Sequence, residues 1–272
     1  MNKMVSATML GTYLYCTRKL YLEKVFGMIE IPKEQLVFGK IRHNCFETAT
    51  IEEKNIVKSI TKNMNLVDVQ NVFTNFYSEI LKKQIENNRS SFECLNILSE
   101  EVFEKIWPKF LKESILRTKT VFAFAQQNNV FEEELWSMLV PKIKSEISME
   151  SEALELRGII DRLEIYPEAL VPVEMKTGSM PAEGVWPSHK VQIAVYMLLA
   201  ESNYKIPIRK GIVRYLDTET DRIISMNPFL KYEIADLVKK VKEILNSEKI
   251  PNFCGNRNKC ASCGLKKKCY EL

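Results

Sequence analysis

The chain has 272 residues, which is enough to bury one substantial core and is most simply one large domain or one domain with an insertion. Hydrophobic residues make up 46% and charged residues 27%, so a disordered or fibrous protein is excluded. The net charge of +4 is too small to indicate nucleic-acid binding, although positive charge is concentrated in the tail over 249–272. No apolar run approaches the roughly 18 residues of a membrane span, and no signal peptide is recognisable, so we expect a cytoplasmic protein.

The first half of the chain has helical periodicity. A helix is predicted over 6–26, with Cys16 inside it, because apolar residues recur at helical spacing after a capping serine. A second helix, predicted over about 33–53, carries His43. The stretch 55–140 stays helical, lacks glycine and contains no recognisable site, which we interpret as a helical insertion.

The pattern changes to that of short β-strands between residues 142 and 176, with a turn at 166–169. The elements expected after it are a helix, two strands and an amphipathic helix, over 187–203, 211–216, 222–226 and 229–245. A mixture of this kind predicts an α/β (α+β) fold with a central mixed sheet flanked by helices.

Two acidic residues and a lysine are placed to converge on the predicted hairpin. If 166–169 forms a four-residue loop, Asp161 falls directly opposite Glu174, at a Cβ separation of about 4.5 to 5.5 Å. Lys176 lies two residues beyond Glu174 and therefore on the same face, roughly 7 Å along. Adjacent carboxylates repel unless a cation lies between them, and their hard oxygens suit Mg²⁺ or Mn²⁺. The alternative is a solvated, exposed sheet face.

Three further residues fit such a site. Gln192 and Tyr196 are four residues apart on a predicted helix and so share a face that suits contact with a nucleic-acid backbone or support of the lysine. The imidazole of His43 is a suitable additional ligand for Mn²⁺. Taken alone, each of the three residues is more often explained by ordinary packing or solvation.

The cysteines near the end of the chain indicate a soft-metal site. Cys260, Cys263 and Cys269 form a C-x2-C-x5-C pattern, which is typical of metal or cluster ligation in a cytosolic protein. Tetrahedral Zn²⁺ or a four-iron cluster needs a fourth ligand. Nearby Cys254 and remote Cys16 are both candidates, and spacing does not choose between them.

Taken together, the motifs resemble those of the RecB-type nucleases of the PD-(D/E)xK superfamily, specifically the CRISPR-associated exonuclease branch that carries an iron–sulfur cluster. The matching residues occur in the family's order at both ends of the chain and in the predicted sheet. They are Cys16, His43, Gly158 to Asp161, Glu174 to Lys176, Gln192 to Tyr196, and the triplet Cys260, Cys263 and Cys269.

The resemblance implies a single nuclease domain over 1–272 with a restriction-endonuclease-like core. The helical insertion over 55–140 is longer than we expect in compact members of the family. The tail over 249–272 would bind a 4Fe–4S cluster and close on the first helix. The resemblance also selects Cys16, rather than Cys254, as the fourth cluster ligand beside the C-terminal triplet.

The resemblance further implies how the candidate site residues divide their roles. His43, Asp161, Glu174 and the carbonyl of Met175 would hold Mn²⁺ or Mg²⁺. Lys176 would act with the two carboxylates in catalysis by serving the attacking water, and Gln192 with Tyr196 would position the DNA strand.

The implied activity is that of a metal-dependent DNA nuclease. The expected form is an exonuclease that acts on single-stranded DNA and trims it for CRISPR spacer acquisition beside the integrase. Two alternatives remain open from the sequence: a DNA repair nuclease outside CRISPR, and a catalytically inactive nucleic-acid-binding assembly subunit.

Overall fold

The computed structural model describes residues 4–30, 34–93 and 95–272 and divides the chain into two compact units. The sheet unit comprises Met1–Lys33, Glu146–Glu164 and Glu168–Leu272, and the helical unit comprises Glu34–Ser145 and Ile165–Pro167. The helices are α1 (Ala7–Tyr15), α2 (Thr17–Lys24), α3 (Glu34–Lys58), α4 (Leu66–Asn87), α5 (Arg89–Glu93), α6 (Ser99–Asn128), α7 (Glu132–Met138), α8 (Pro187–Tyr204), α9 (Pro228–Asn246), α10 (Arg257–Ala261) and α11 (Lys266–Tyr270). The strands are β1 (Val5–Ser6), β2 (Lys142–Ser151), β3 (Leu156–Tyr166), β4 (Ala169–Lys176), β5 (Lys210–Tyr215) and β6 (Thr220–Ser225).

The strands form one mixed sheet in the order β1-β3-β4-β5-β6, with β2 paired to β3. Strands β4 and β5 are parallel, whereas β5 and β6 are antiparallel. Helix α8 connects β4 to β5 and packs against both of these strands. The predicted mixed central sheet flanked by helices is confirmed, and α8, β5, β6 and α9 begin and end within two residues of their predicted bounds.

A long continuous stretch of helix α8 is buried in the sheet unit. Every residue over 193–200 is buried. Two glycines allow this close approach: a Cβ on Gly158 would lie 2.8 Å from Cε1 of Tyr196, and one on Gly211 would lie 2.7 Å from Cγ1 of Ile193. The side chains of α8 are therefore held firmly against the sheet.

The helical unit is built around α3, α4 and α6. Its core contains an aromatic cluster in which Phe110 contacts Phe46 and Tyr77, at ring-centroid distances of 5.3 and 4.5 Å. The guanidinium of Arg117 forms a buried ion pair with the carboxylate of Glu53, which includes a hydrogen bond of 3.1 Å from Nη2 to Oε2. The stretch 55–140, which the sequence predicts to be a helical insertion, lies within this unit.

Three local predictions need correction. The helix predicted over 6–26 breaks at Cys16, whose φ of −166° and ψ of 117° are extended, so Cys16 caps α2 instead of lying inside a helix. The second predicted helix continues to Lys58, and its predicted start at residue 33 lies outside the described residues. The hairpin loop is two residues shorter than predicted because Tyr166 and Ala169 belong to strands. None of the helices that the structure describes is both long and apolar enough to cross a bilayer.

Candidate active site

Two carboxylates meet where β3 and β4 lie side by side in the sheet. The backbone N–H of Met175 donates to Oδ2 of Asp161 at 2.8 Å, which places Asp161 next to Glu174. The carboxylates of Asp161 and Glu174 contact each other, and both side chains are buried, with relative exposures of 9% and 2%. The structure therefore brings together the two acids that the hairpin spacing pairs.

Lys176 completes this group from the same strand. Its ammonium group forms an ion pair with the Glu174 carboxylate and donates a hydrogen bond of 2.8 Å to Oε1 of Gln192. Nε2 of Gln192 in turn donates to the hydroxyl of Tyr196 at 2.9 Å. Because Tyr196 is fixed against Gly158, this chain of contacts fixes the position of the lysine.

The electrostatics of Glu174 favour a bound cation. Burial first, and then the neighbouring Asp161, raise the pKa of the Glu174 carboxyl, and although Lys176 opposes both effects, that pKa is raised to about 8. Its Oε2 is buried and has no hydrogen-bond partner among the described residues. A divalent cation held by hard oxygen ligands would satisfy this atom and remove the repulsion between the carboxylates, so these residues fit a Mg²⁺ or Mn²⁺ site.

A third carboxylate belongs to the same group, and sequence reasoning missed it. Carboxylate oxygens of Glu146 and Asp161 lie within 4.8 Å of each other. Glu146 has a φ of 51°, which is a left-handed conformation within strand β2. An irregularity of this kind interrupts the strand and changes the direction of its side chain. No motif or alternation in the sequence marks this position.

His189 and Tyr215 flank the lysine and were also missed. Tyr215 is the register partner of Lys176 on β5, and its hydroxyl lies 3.0 Å from Nδ1 of His189. Burial first, and then the charge of Lys176, lower the pKa of His189 to about 4. The imidazole is therefore neutral at physiological pH. The available signal was weak: His189 precedes Gln192 by three residues and so shares its face of α8.

The remaining predicted ligands of the divalent metal are placed as follows. Met175 lies in β4 between Glu174 and Lys176, with its side chain buried. His43 lies on α3, within the helical unit. The role of His43 as a metal ligand stays a prediction.

A pocket in the sheet unit is lined by five cysteines: Cys16, Cys254, Cys260, Cys263 and Cys269. The Sγ atoms of Cys254 and Cys260 are 3.2 Å apart, and the thiol of Cys254 also contacts that of Cys16. Hydrogen bonding from Cys260 lowers the pKa of Cys254, whereas burial raises the pKa of Cys16. Both candidates for the fourth ligand therefore lie at the same pocket as the C-terminal triplet, and the thiolate donor set fits a soft metal or an iron–sulfur cluster.

Hydrogen bonds join the tail to the first helices around this pocket. Arg18 donates from Nε to Sγ of Cys269 at 3.1 Å and from Nη1 to the carbonyl of Pro251 at 3.0 Å. The hydroxyl of Tyr15 donates to the carbonyl of Lys259 at 2.6 Å. Residues other than cysteine therefore also hold the tail against the first helices and help to bring the cysteines together.

A mixed sheet that carries paired carboxylates and a lysine on adjacent strands defines a class of metal-dependent phosphodiesterases. A family model described as the PD-(D/E)XK nuclease superfamily matches residues 4–270. The chain belongs to this superfamily.

Curated relatives share parts of this sequence. A CRISPR-associated exonuclease Cas4/endonuclease Cas1 fusion of Myxococcus xanthus is 29% identical over 128 residues, which cover 46% of this chain and 22% of the relative. The DNA replication ATP-dependent helicase/nuclease JHS1 of Arabidopsis thaliana is 20% identical, covering 96% of this chain and 20% of the relative. The similarly described dna2 of Schizosaccharomyces pombe is 22% identical, covering 98% of this chain and 18% of the relative. The chain therefore spans about a fifth of the length of these relatives.

Proposed function

We propose that this chain is a DNA nuclease that hydrolyses phosphodiester bonds with Mn²⁺ or Mg²⁺. The observation that carries the proposal is the contact of Lys176 with a buried carboxylate pair, Asp161 and Glu174, in a chain that belongs to a nuclease superfamily. Burying two acids and a lysine together costs stability, so such a group is better explained by chemistry than by folding.

The carboxylates of Asp161 and Glu174 and the carbonyl of Met175 would hold the divalent ion. We add Glu146 to this set because its carboxylate reaches that of Asp161. His43 is the proposed nitrogen ligand. When bound, the ion supplies Lewis-acid activation of the phosphoryl oxygen and lowers the pKa of a coordinated water.

The residues of the chain then divide the remaining tasks. Lys176 lies beside the carboxylates and orients the attacking water or neutralises charge that develops on the phosphate. Gln192 holds the ammonium group of Lys176 through its amide oxygen, and Tyr196 orients that amide. His189 is neutral and so adds no positive charge beside the lysine.

The finer proposal is an exonuclease that acts on single-stranded DNA and trims it before CRISPR spacer acquisition, with the integrase as partner. The relative from Myxococcus xanthus supports this context, because its description joins a CRISPR-associated exonuclease to Cas1 in one chain. A repair or replication nuclease is the second candidate, since two relatives are described as DNA replication helicase/nucleases.

We also propose that the cysteine pocket holds a 4Fe–4S cluster on Cys16, Cys260, Cys263 and Cys269. The pocket brings all four thiols together, and a cluster held in this way would connect α2 to residues more than two hundred positions away. Such a cross-link removes loop entropy from the unfolded chain, so we assign the cluster a structural role.

Replacement of the lysine tests the enzymatic proposal. We expect Lys176→Ala to abolish Mn²⁺-dependent cutting of end-labelled single-stranded DNA, a loss of at least about 100-fold, while DNA binding persists. Lys190→Ala is the matched control, because Lys190 lies on α8 and pairs with exposed Glu233. Equal cutting by wild type and Lys176→Ala would remove Lys176 from the mechanism. Binding without any cutting by the wild type would favour the inactive assembly subunit.

A further inference from the structure

One stripe of α8 leads from the candidate active site to the protein surface. The stripe consists of His189, Gln192 and Tyr196, whose spacing of three to four residues places them on one side of the helix, and begins at Trp186, the residue that precedes α8 as its N-cap. Tyr196 is buried, Gln192 and His189 are half-buried, and Trp186 is 43% exposed. Gln192 contacts Lys176, and His189 and Tyr196 contact its neighbours Tyr215 and Gln192. The exposed indole of Trp186 has no part in these contacts.

The exposed indole of Trp186 is held in a fixed position. Its Nε1 donates a hydrogen bond of 3.0 Å to the carbonyl of Ser179, in the loop that follows Lys176. The backbone of Trp186 hydrogen-bonds the hydroxyl of Tyr215, and its carbonyl accepts from the N–H of Lys190 at 3.0 Å. A large aromatic ring that is both exposed and fixed loses little conformational entropy when it binds a partner.

The position of Trp186 relative to the reacting groups is set by the helix. It lies six positions before Gln192, which corresponds to roughly 9 Å along the axis at about 1.5 Å per residue. A DNA strand advances about 3.4 Å per nucleotide when its bases are stacked. On this estimate, the indole would meet a base roughly three nucleotides from a phosphate bound at Lys176.

We infer that Trp186 stacks against an unpaired base of the DNA strand held in the active site. The inference rests on the proposed nuclease function and deepens it by assigning one contact to the single strand, an unpaired base stacked on Trp186 near the cleaved bond. Bases in a duplex are stacked on their neighbours and do not present a free face to an indole. Stacking on aromatic side chains is tolerant of sequence, because every base has a π-face.

Binding measurements in EDTA, which prevents metal-dependent cutting, test the inference on the full chain. We expect Trp186→Ala to weaken binding of labelled single-stranded oligonucleotides by about 5- to 150-fold, the range reported for loss of one stacked base. Trp186→Phe keeps an aromatic face and should stay within about 3-fold of wild type. Phe229→Ala is the matched control, because Phe229 is 87% exposed at the start of α9 in the same unit.

Oligonucleotides with one abasic site identify the contact itself. An abasic site about three nucleotides from the cleavage position should weaken binding to the wild type but not weaken binding to Trp186→Ala any further. If the losses in affinity caused by the abasic site and by Trp186→Ala multiply when combined, the two effects are independent and the inference is overturned.

Other outcomes are equally decisive. Unchanged binding by Trp186→Ala, equal weakening on duplex DNA, or a loss in Trp186→Phe as large as in Trp186→Ala would each overturn the stacking role. Circular dichroism and thermal unfolding of each variant show whether a loss reflects misfolding. A wild type that neither binds nor cuts DNA would contradict the proposed function itself, which separates the two failures.

Discussion

Glu174 shows at the scale of one residue how the site depends on a bound cation. Its carboxyl is buried, and its pKa is raised to about 8, by burial first and then by Asp161. The group therefore keeps its proton in the folded, metal-free protein at pH values where the unfolded chain has released it. Binding of a divalent ion requires release of that proton, so metal binding and pH are linked at this residue.

The first prediction is a pH dependence of the stability of the metal-free protein. Because the pKa of Glu174 is higher in the folded state than its ordinary value of 4.5, the free energy of unfolding falls as pH rises from about 4.5 through 8. In the wild type we expect the free energy of unfolding to fall by on the order of 1 to 4 kcal/mol over this range, since one pKa unit corresponds to about 1.4 kcal/mol. Glu174→Gln should abolish this fall, because glutamine does not titrate. Urea unfolding in EDTA at pH 6 and 8.5 measures this change.

The control for this pH dependence is Glu150→Gln, because Glu150 is exposed on strand β2 of the same sheet. It should leave the pH dependence as in the wild type. An unchanged slope in Glu174→Gln would mean that other groups cause the pH dependence.

The second prediction concerns Gly158, the first residue of the Gly-x-x-Asp segment. A Cβ at Gly158 would lie 2.8 Å from Cε1 of Tyr196, and overpacking of this kind typically costs about 1–3 kcal/mol. We expect Gly158→Ala to lower stability by that amount and to reduce cutting, since Tyr196 would move the amide that holds Lys176. Thermal unfolding and a cleavage assay measure both effects.

Gly11→Ala is the matched glycine substitution for comparison. A Cβ there would meet only Cβ of Ser188, at 3.8 Å, which is an ordinary contact. Because alanine also favours the helix, this variant should be at least as stable as the wild type. A Gly158→Ala protein with wild-type stability and cutting would show that Tyr196 moves without consequence.

At the scale of elements, a buried ion pair fixes how α3 and α6 pack in the helical unit. Arg117 on α6 and Glu53 on α3 are both buried, with relative exposures of 7% and 4%. Desolvation lowers the pKa of Arg117, but the charge of Glu53 more than offsets it and leaves this pKa raised. Such a pair contributes more to the specificity of helix pairing than to stability, because desolvation offsets the attraction.

The third prediction follows from this balance. Arg117→Met alone leaves the Glu53 carboxylate buried without its partner, so we expect a loss of about 3–5 kcal/mol in the free energy of unfolding. The double variant Glu53→Leu with Arg117→Met should recover most of that loss, since it removes both charges. Chemical unfolding of the three proteins measures the difference, and equal losses in the single and double variants would contradict this account.

At the scale of the whole molecule, the cysteine pocket connects the two ends of the chain. Cys16 separates α1 from α2, and the other four thiols lie in the tail. Arg18 and Tyr15 bind the tail through hydrogen bonds to Cys269 and Lys259. The pocket is therefore assembled only when the first and last segments fold against each other.

The fourth prediction separates the two candidate ligands. Anaerobically purified wild type should be brown and contain about four iron atoms per chain, as a 4Fe–4S cluster requires. We expect Cys16→Ser to lose most of the iron and the colour and to unfold more readily, whereas Cys254→Ser should keep both. Iron analysis and visible absorption measure the outcome, and the reverse result would assign Cys254 as the ligand.

Much of the sheet unit could be predicted from local sequence patterns. The strands and helices after residue 142 have clear periodicity, and the short hairpin between β3 and β4 pairs Asp161 with Glu174 whether the loop has two or four residues. Lys176, Gln192 and Tyr196 follow from the periods of strand and helix. These features depend on residues close in sequence, which is why spacing places them on shared faces, whereas their assignment to a nuclease site came from the family resemblance.

The rest was decided by contacts between distant segments. Glu146 reaches Asp161 from a left-handed position in β2, His189 is placed by Tyr215 on another strand, and Cys16 joins the thiols of the tail only when the tail meets α1 and α2. The extended backbone at Cys16 likewise interrupts an otherwise continuous helical pattern. Periodicity indicates which face of an element is buried, but not which distant side chain that face meets. The sequence by itself therefore determined the paired acids and the lysine, whereas tertiary packing determined which residues surround them.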